Sequence, residues 1–490
     1  MMISKVFQRS IIGRAFACLI FLIIPALAVA DDTSDIRVVL EPEDVLQASA
    51  IHFPRILESL AKRRAAEGRE LEAQGAFDLV FGASGFSRQT GFWSGSILNT
   101  ETKQRLRPLG ATISSGYRIS EGTFPIYENI NNTNTVGEFK VAALFSLLRD
   151  RRIDSERFNE RDTRLAREQS EFELLLTQVG VQHQALLLYW RWVAAGQQLK
   201  VFRGLQAIAE QRQDALKVQV DRGARAEIFL TENLQNITRR RTLTKQAERD
   251  FLVAANNLSL YLRDQRGEML MVGEEVLPAA MIPADVKDRL GSLDRIMADT
   301  MGKRPELNML RAGMERARGR IELGRNALKP RLDVGVEVSH DVGNVGPGGI
   351  SFDSTDTILS FKFALPLQQR RAKGQIATAR AELEAVRQAR RQMEDQIEVQ
   401  LRGILVELDL TADLLDLADE QVVQTATMTR AEQRRFESGA SDFFVVNVRE
   451  ETAANARIQQ VQAVLNQRVA LANFSAATVD LKALGLASTP

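Results

Sequence analysis

Two proline-free tracts, from about Arg151 to Arg222 and from about Gln369 to Ser438, constrain this chain more than any other feature. A helix rises about 1.5 Å per residue, so seventy helical residues reach roughly 100 Å. No single globular core needs such a rod. Within the first tract Leu165, Phe172, Val179, Leu186 and Val193 recur at sevenfold spacing, and within the second Leu401, Leu408, Leu415 and Val422 do the same. That period marks a coiled-coil seam. Lys200 and Arg390 interrupt it and mark breaks in register.

Each tract runs into the same small break. "DRGARAEIF" spans Asp221 to Phe229 and "ESGASDFFV" spans Glu437 to Val445, so that Gly223-Ala224 matches Gly439-Ala440, 216 positions later. Glycine accepts the left-handed backbone that ends a helix. A second helix is expected behind each pair, from about Glu227 to Arg263 and from about Asp442 to Leu484, the latter capped by Ser441 or Asp442. Each half of the chain therefore holds a helical hairpin whose tip is the glycine.

The halves share more than their tips. Pro54 and Pro305 each open a helix of a little over twenty residues, a position that suits proline because its missing N–H needs no partner there. The apolar period then switches from helix to strand. Leu332, Val334, Val336 and Val338 alternate with polar residues and glycine, and after a Gly/Asn/Pro loop so do Leu359, Phe361, Phe363, Leu365 and Leu367. In the first half Phe77, Leu79, Phe81 and Ala83, then Phe139, Val141, Ala143 and Phe145, follow the same rule. These read as strands about ten residues long, with one apolar face, the length a tilted membrane strand needs.

A third alternating stretch, Leu109–Ser120, lies between the first-half strands. Three spanning strands would leave the flanking helices on opposite sides, so this stretch is expected in an extended outer loop. Matching Leu332 to Phe77 gives an offset of 255 against 216 for the glycines, which puts about 39 extra residues between Phe92 and Thr135. The expected plan is a first repeat over residues 31–263, an inter-repeat segment over 264–303 packed as short helices and loops beside the rods, a second repeat over 304–484 and a tail over 485–490.

Residues 1–30 stand outside that plan. Lys5, Arg9 and Arg14 precede an apolar run from Ala15 to Val29, and Ala28-Val29-Ala30 offers small residues before Asp31. This is the pattern of a secretory signal peptide; the run is short for a membrane anchor. Cleavage would remove Cys18, the only cysteine, and three of the 64 basic residues, leaving 61 against 63 acids. A balance near zero gives no global attraction to nucleic acid. No later stretch has the apolar length of a membrane helix. If the chain spans a membrane it does so with strands, and four strands cannot close alone because every backbone polar group in hydrocarbon needs a partner. Two copies would supply eight strands and three would supply twelve.

The order of signal, helix, strand hairpin and long helical hairpin, repeated once, resembles the TolC-like outer-membrane efflux protein family. The local wording is similar too: "RPEL" at Arg304–Leu307, "GEFKVAALFSLLRDRRID" at the first strand-to-rod junction, and "RRFESGASDFFVVNVREETAANAR" around the second tip. The resemblance covers about Pro54 to Leu484. It implies a mostly α fold with a membrane β-hairpin pair: a homotrimer whose β-barrel, four strands per chain, sits in the outer membrane of a Gram-negative bacterium and continues as a coiled-coil α-barrel across the periplasm. It implies a passive exit duct of a tripartite efflux or type I secretion system, without cofactor. Its partners would be a periplasmic adaptor, an inner-membrane pump or ABC transporter and outer-membrane lipid, and no nucleic acid. By position Gly223, Ala224, Gly439 and Ala440 would meet the adaptor. Family members hold the entrance shut with polar links between tips and carry an acidic ring on the second returning helix. Here the matching positions are Ile228, Phe229, Phe436 and Ser441, and Val445 and Val448, so an entrance closed by apolar contact or dewetting is expected instead.

Other chemistry finds little footing. His52, His183 and His340 lie on different elements without ligand spacing, and there is no phosphate loop, nucleophile elbow or paired-acid site, so neither a metal nor an enzyme is expected. Tyr189-Trp190-Arg191-Trp192 reads as rod packing or a wedge against the inter-repeat segment. The competing function class is a periplasmic coiled-coil scaffold without a pore, which the rods alone would also fit and the alternating strands argue against.

Overall fold

A computed structural model describes residues 39–284, 286, 292–345 and 355–487. The expected signal peptide with Cys18, residues 346–354 and residues 488–490 lie outside them. The chain order is α1 (Pro42–His52), α2 (Pro54–Gln74), β1 (Val80–Ser87), β2 (Gly95–Arg105), β3 (Thr112–Gly122), β4 (Gly137–Ser146), α3 (Ser155–Asp221), α4 (Ile228–Ser259), α5 (Leu293–Lys303), α6 (Pro305–Ala327), β5 (Arg331–Val342), β6 (Thr355–Ala364), α7 (Arg370–Glu437) and α8 (Phe443–Ala477).

The two rods exist as expected: α3 has 67 residues and α7 has 68, each about 100 Å long. Most of the sevenfold seam is buried, with Val193, Leu401 and Leu408 fully enclosed, while Leu165, Phe172 and Val422 are half-buried. Beside α3 run α2 and then α4; beside α7 run α6 and then α8. The two joints between stacked partners are built differently. At the first, Phe53 stacks on Tyr261 at 4.8 Å. At the second, the Arg304 guanidinium donates to the Ala477 carbonyl at 3.0 Å.

α1 and α5 are both 11-residue helices directly preceding the proline-opened helix. Each half thus has a short helix ahead of its proline, and the segment expected between the repeats, 264–303, ends in α5. That segment wraps the rods midway together with α1 and the C-terminal residues. Trp192 and Tyr189 of α3 sit at its centre, packed with Leu46, Phe251, Leu277 and Leu484. Tyr189 donates to the Leu40 carbonyl at 2.9 Å, and burial raises its phenol well above the ordinary range. Arg468 lies 4.3 Å over the Trp190 ring and is held below the usual arginine range by burial. The aromatic cluster is thus a wedge against that segment.

The sheet corrects the expected strand count. Among the described residues it has six strands, not four, in the order β1-β2-β3-β4-β5-β6, all neighbours antiparallel. The stretch placed in an outer loop is β3, paired to β2 on one side and β4 on the other. The first strand begins at Val80, because Phe77 turns inward in a short helical turn and is buried. The parity argument holds: the first half has four strands rather than two, so α2 and α3 still share a side.

β2 escaped detection because its outward positions are Leu98, Thr100, Thr102 and Gln104, which carry no hydrophobic alternation. The threonine hydroxyls are instead absorbed by the sheet, donating to the carbonyls of Tyr117 and Ser115 at 3.2 and 3.1 Å. On the same face lie Phe139, Val141, Val334, Val336, Phe361 and Phe363. The opposite face carries charge in pairs, including Arg118 with Glu138 and Lys140 with Glu337 at 2.6 Å.

The sheet is tied to α3 at Asp154. This carboxylate caps the helix, accepting from the Arg157 backbone N–H at 2.8 Å and its guanidinium at 3.0 Å, with Arg105 at 3.2 Å. Burial would raise its pKa, but these donors and the two cations outweigh burial and hold it below the ordinary carboxylate value. α7 has no such cap: Gln369 precedes it with φ 53°, and its side-chain amide donates instead to the Leu328 carbonyl at 3.1 Å.

Candidate functional site

The tips are where both rods stop, and the residues there explain how. After α3, Gly223 has φ 69°; its N–H donates to the Val220 carbonyl at 2.8 Å, and Ala224 N–H donates to Gln219 at 2.9 Å. After α7, Gly439 has φ 72°; its N–H donates to Phe436 at 3.1 Å, and Ala440 N–H donates to Arg435 at 2.7 Å. Both are Schellman motifs, in which a left-handed glycine lets the chain turn back on its last carbonyls. A Cβ on either glycine would touch nothing within 4 Å, so backbone conformation alone selects glycine here.

The returns differ. Asp442 caps α8 with a 3.4 Å bond from Phe444 N–H, whereas Glu227 ahead of α4 makes no side-chain cap. Ser441 donates to Glu432 of α7, and Arg435 reaches the Ala440 carbonyl at 3.2 Å. The second tip is therefore tied to its own rod, and the first is not tied in this way.

Of the expected gate residues, the fold brings Phe229 and Phe436 into one cluster. Arg225 is sandwiched between them, 5.4 Å over Phe229 and 4.6 Å over Phe436. Phe443 is the fully buried keystone, 6.4 Å edge-on to Phe229 and 6.2 Å from Phe436, with Arg212 5.5 Å over its ring. Ile228 and Val448 stay exposed and Val445 half-buried, outside this cluster. Sequence reasoning missed Arg225, Arg212 and Phe443. The available signal was an arginine directly behind the first Gly-Ala, facing a doubled phenylalanine behind the second.

One layer above, the hairpins are joined by charge. Glu450 of α8 bridges Arg212 of α3 and Arg240 of α4, the latter at 2.9 Å. Both Glu450 and Arg240 are almost wholly enclosed. Arg240 also donates to the Leu205 carbonyl at 2.8 Å, and Arg212 donates to Asn447 at 2.8 Å. A buried pair of this kind is costly to break because the remaining charge has no solvent. The aromatic cluster and this triad together hold both hairpin tips of one chain side by side.

Among the described residues no group of three or more His, Cys, Asp or Glu side chains could hold a metal, and no helix is long and apolar enough to cross a membrane.

The comparisons agree with this architecture. The family model described as outer membrane efflux protein matches residues 298–478, most of the second repeat. No curated protein matches the sequence. Among solved structures, the chain is similar to the open state of the Neisseria gonorrhoeae MtrE outer membrane channel, with 13% identity, a TM-score of 0.62, and coverage of 91% of this chain and 92% of that one. It is similar to the Campylobacter jejuni CmeC outer membrane channel at 11% identity and a TM-score of 0.61, covering 91% and 89%. It is also similar to the Vibrio cholerae outer membrane protein VceC at 13% identity and a TM-score of 0.60, covering 91% and 96%.

Proposed function

We propose that this chain, whose second repeat matches the outer membrane efflux protein family model, places its sheet in the outer membrane and its helices in the periplasm, and that three copies form a passive exit duct. The duct is docked and opened at its helix tips by a periplasmic adaptor that links it to an inner-membrane pump or ABC transporter. One observation carries this reading: a two-faced sheet whose two edges are unpaired among the described residues stands on rods of about 100 Å. An open edge is not tolerated in lipid, so neighbouring copies must complete the ring. The rods call for the same completion. Val399, Val406, Leu410, Leu414 and Leu417 form an exposed apolar stripe along α7 that a second copy would cover. A scaffold without a pore would explain the rods but not the sheet.

Gly223, Ala224, Gly439 and Ala440 are the adaptor contact in this reading, since they are the exposed ends of both hairpins. The entrance closes without an acidic ring. Arg225, Phe229, Phe436 and Phe443 clamp the tips, and Ile228, Ser441, Val445 and Val448 line the constriction. Outer-membrane lipid surrounds the sheet's apolar face.

The deciding experiment purifies the full-length protein from the outer-membrane fraction and measures its mass and its conductance in planar bilayers. A trimer that conducts supports the duct; a water-soluble chain that never conducts sinks it. Phe229→Asp and Val445→Asp are expected to raise the closed-state leak several-fold, and an unchanged leak in both removes the apolar gate. Bulky Ala224→Trp and Ala440→Trp variants should lower cellular efflux while leaving trimers and bilayer conductance intact.

A further inference from the structure

The number of wall strands is the property in which this chain departs from the twelve-stranded barrel that the resemblance implies. We infer that all six strands belong to the barrel wall, and that three copies join β6 of one to β1 of the next to close an eighteen-stranded barrel. The inference rests on the trimeric reading above and adds the width of the exit.

Three observations carry it. First, β2 and β3 are not an appendage: they lie between β1 and β4, pair with each other along their whole length, and pair outward over Ser96–Lys103 with β1 and over Thr112–Arg118 with β4. Removing them from the ring would require β1 to pair with β4 directly. Second, they obey the same two-faced rule as the other strands. Their mid-strand charges, Glu101, Lys103 and Arg118, share the face of Lys140 and Glu337, while Thr100 and Thr102 turn their hydroxyls onto β3 carbonyls on the opposite face. A hydroxyl satisfied by the backbone is the form in which threonine can face hydrocarbon. Third, the β2–β3 turn is anchored to the rod. Arg107 donates to Glu160 at 2.7 Å, and Arg157 donates to the Arg107 carbonyl at 3.0 Å. Gly110 at the turn has φ 58°, and a Cβ there would lie 2.3 Å from the Asp150 carbonyl oxygen, so the turn sits directly on the start of α3. A hairpin fixed to the rod at one end and paired to a neighbouring strand on each side occupies the wall.

The consequence is a wide exit. With strands about 4.8 Å apart and tilted about 40°, eighteen give a backbone ring about 36 Å across, against about 24 Å for twelve. Twelve helices about 10 Å apart form a ring of about 38 Å, so the wider barrel continues the helical tunnel without a step. Size exclusion then falls to the tips alone, and the outer end admits any solute or extended polymer that the tips release.

Cryo-electron microscopy of the full-length trimer in lipid nanodiscs tests this directly. Eighteen strands in the barrel section are expected. A three-fold assembly with twelve strands overturns the inference and leaves the channel reading standing. A chain that forms no ring overturns the channel reading and this inference with it. A second measurement avoids reliance on imaging. In a Cys18→Ser background, single cysteines are introduced as Asn99→Cys and Glu101→Cys on the inner face, and as Thr100→Cys and Thr102→Cys on the outer face. A membrane-impermeant thiol reagent should label the inner pair at least tenfold faster than the outer pair in nanodiscs. Equal labelling of all four would place β2 in water on both faces and overturn the inference.

Discussion

The chain repeats itself closely at one end and loosely at the other. Its two tips use the same Schellman bonds from matched Gly-Ala pairs, and α3 and α7 differ by one residue in length. At the sheet, the first half has four strands and the second has two. The difference follows from what each end must satisfy. A helix stop needs one backbone conformation, which few residues besides glycine supply. A strand meander needs only an even count, because a hairpin inserted into it returns the chain to the same side. Thus about 35 extra residues fit between β1 and β4 while the rods below keep their register.

The comparison between ends can be broken first at the triad above the tips. Glu450→Ala leaves Arg240 buried, and Arg212 half-buried, without their counter-charge and should cost about 3–5 kcal/mol. Exposed Arg239, paired to Glu451, should cost under about 1 kcal/mol on conversion to Ala. Thermal or denaturant unfolding of the purified protein separates the two, and similar losses would show that the tips are not held together by the buried charges.

The sheet–rod junction comes next. Asp154→Ala removes a cap and an ion pair and should cost about 2 kcal/mol, whereas α7, which has no side-chain cap, offers nothing comparable to lose. Because Asp154 titrates below its ordinary value when folded, its contribution is fully present above the unfolded carboxylate pKa of about 4. It is lost as pH falls through the depressed folded value. Wild type should therefore lose stability in acid more steeply than Asp154→Asn; parallel acid melts would refute the assignment.

A smaller effect tests the sameness of the tips. Gly223→Ala and Gly439→Ala should each cost about 1 kcal/mol, since only the left-handed backbone is strained and no neighbour is struck. Hydrogen exchange at the last turns of α3 and α7 reads it, and clearly unequal protection losses would show that the two stops differ. The smallest expected difference lies in the returns. Asp442→Ala should fray α8 by about 0.5–1 kcal/mol, and Glu227→Ala should leave α4 nearly unchanged.

Rods, tips and four of the strands were legible in the amino-acid order because each rests on a local signal. Sevenfold leucines, a glycine behind a long helix and Val/Phe alternation all act over short separations. α1 was missed because its eleven residues gain stability by packing on α3 rather than from their own pattern. β2 was missed because its outward threonines look polar until β3 is present to accept their hydroxyls. The Leu109–Ser120 alternation was visible, but its partner strand was not, so a correct parity rule led to the wrong placement.

At the tips, local sequence identified Phe229 and Phe436 but not what lies between them. Arg225 and Phe443 come from hairpins more than two hundred residues apart, and only the packing of one rod against the other makes them neighbours. The sequence by itself determined where helices run, where they stop and which strand faces are apolar, since these follow from the period and conformational preference of consecutive residues. Tertiary structure alone decided how many strands form the sheet, which charges are buried together and which tip is tied to its rod. Those depend on pairing between distant segments, where a hydrogen bond or a lost solvent shell has no signature in either segment taken alone.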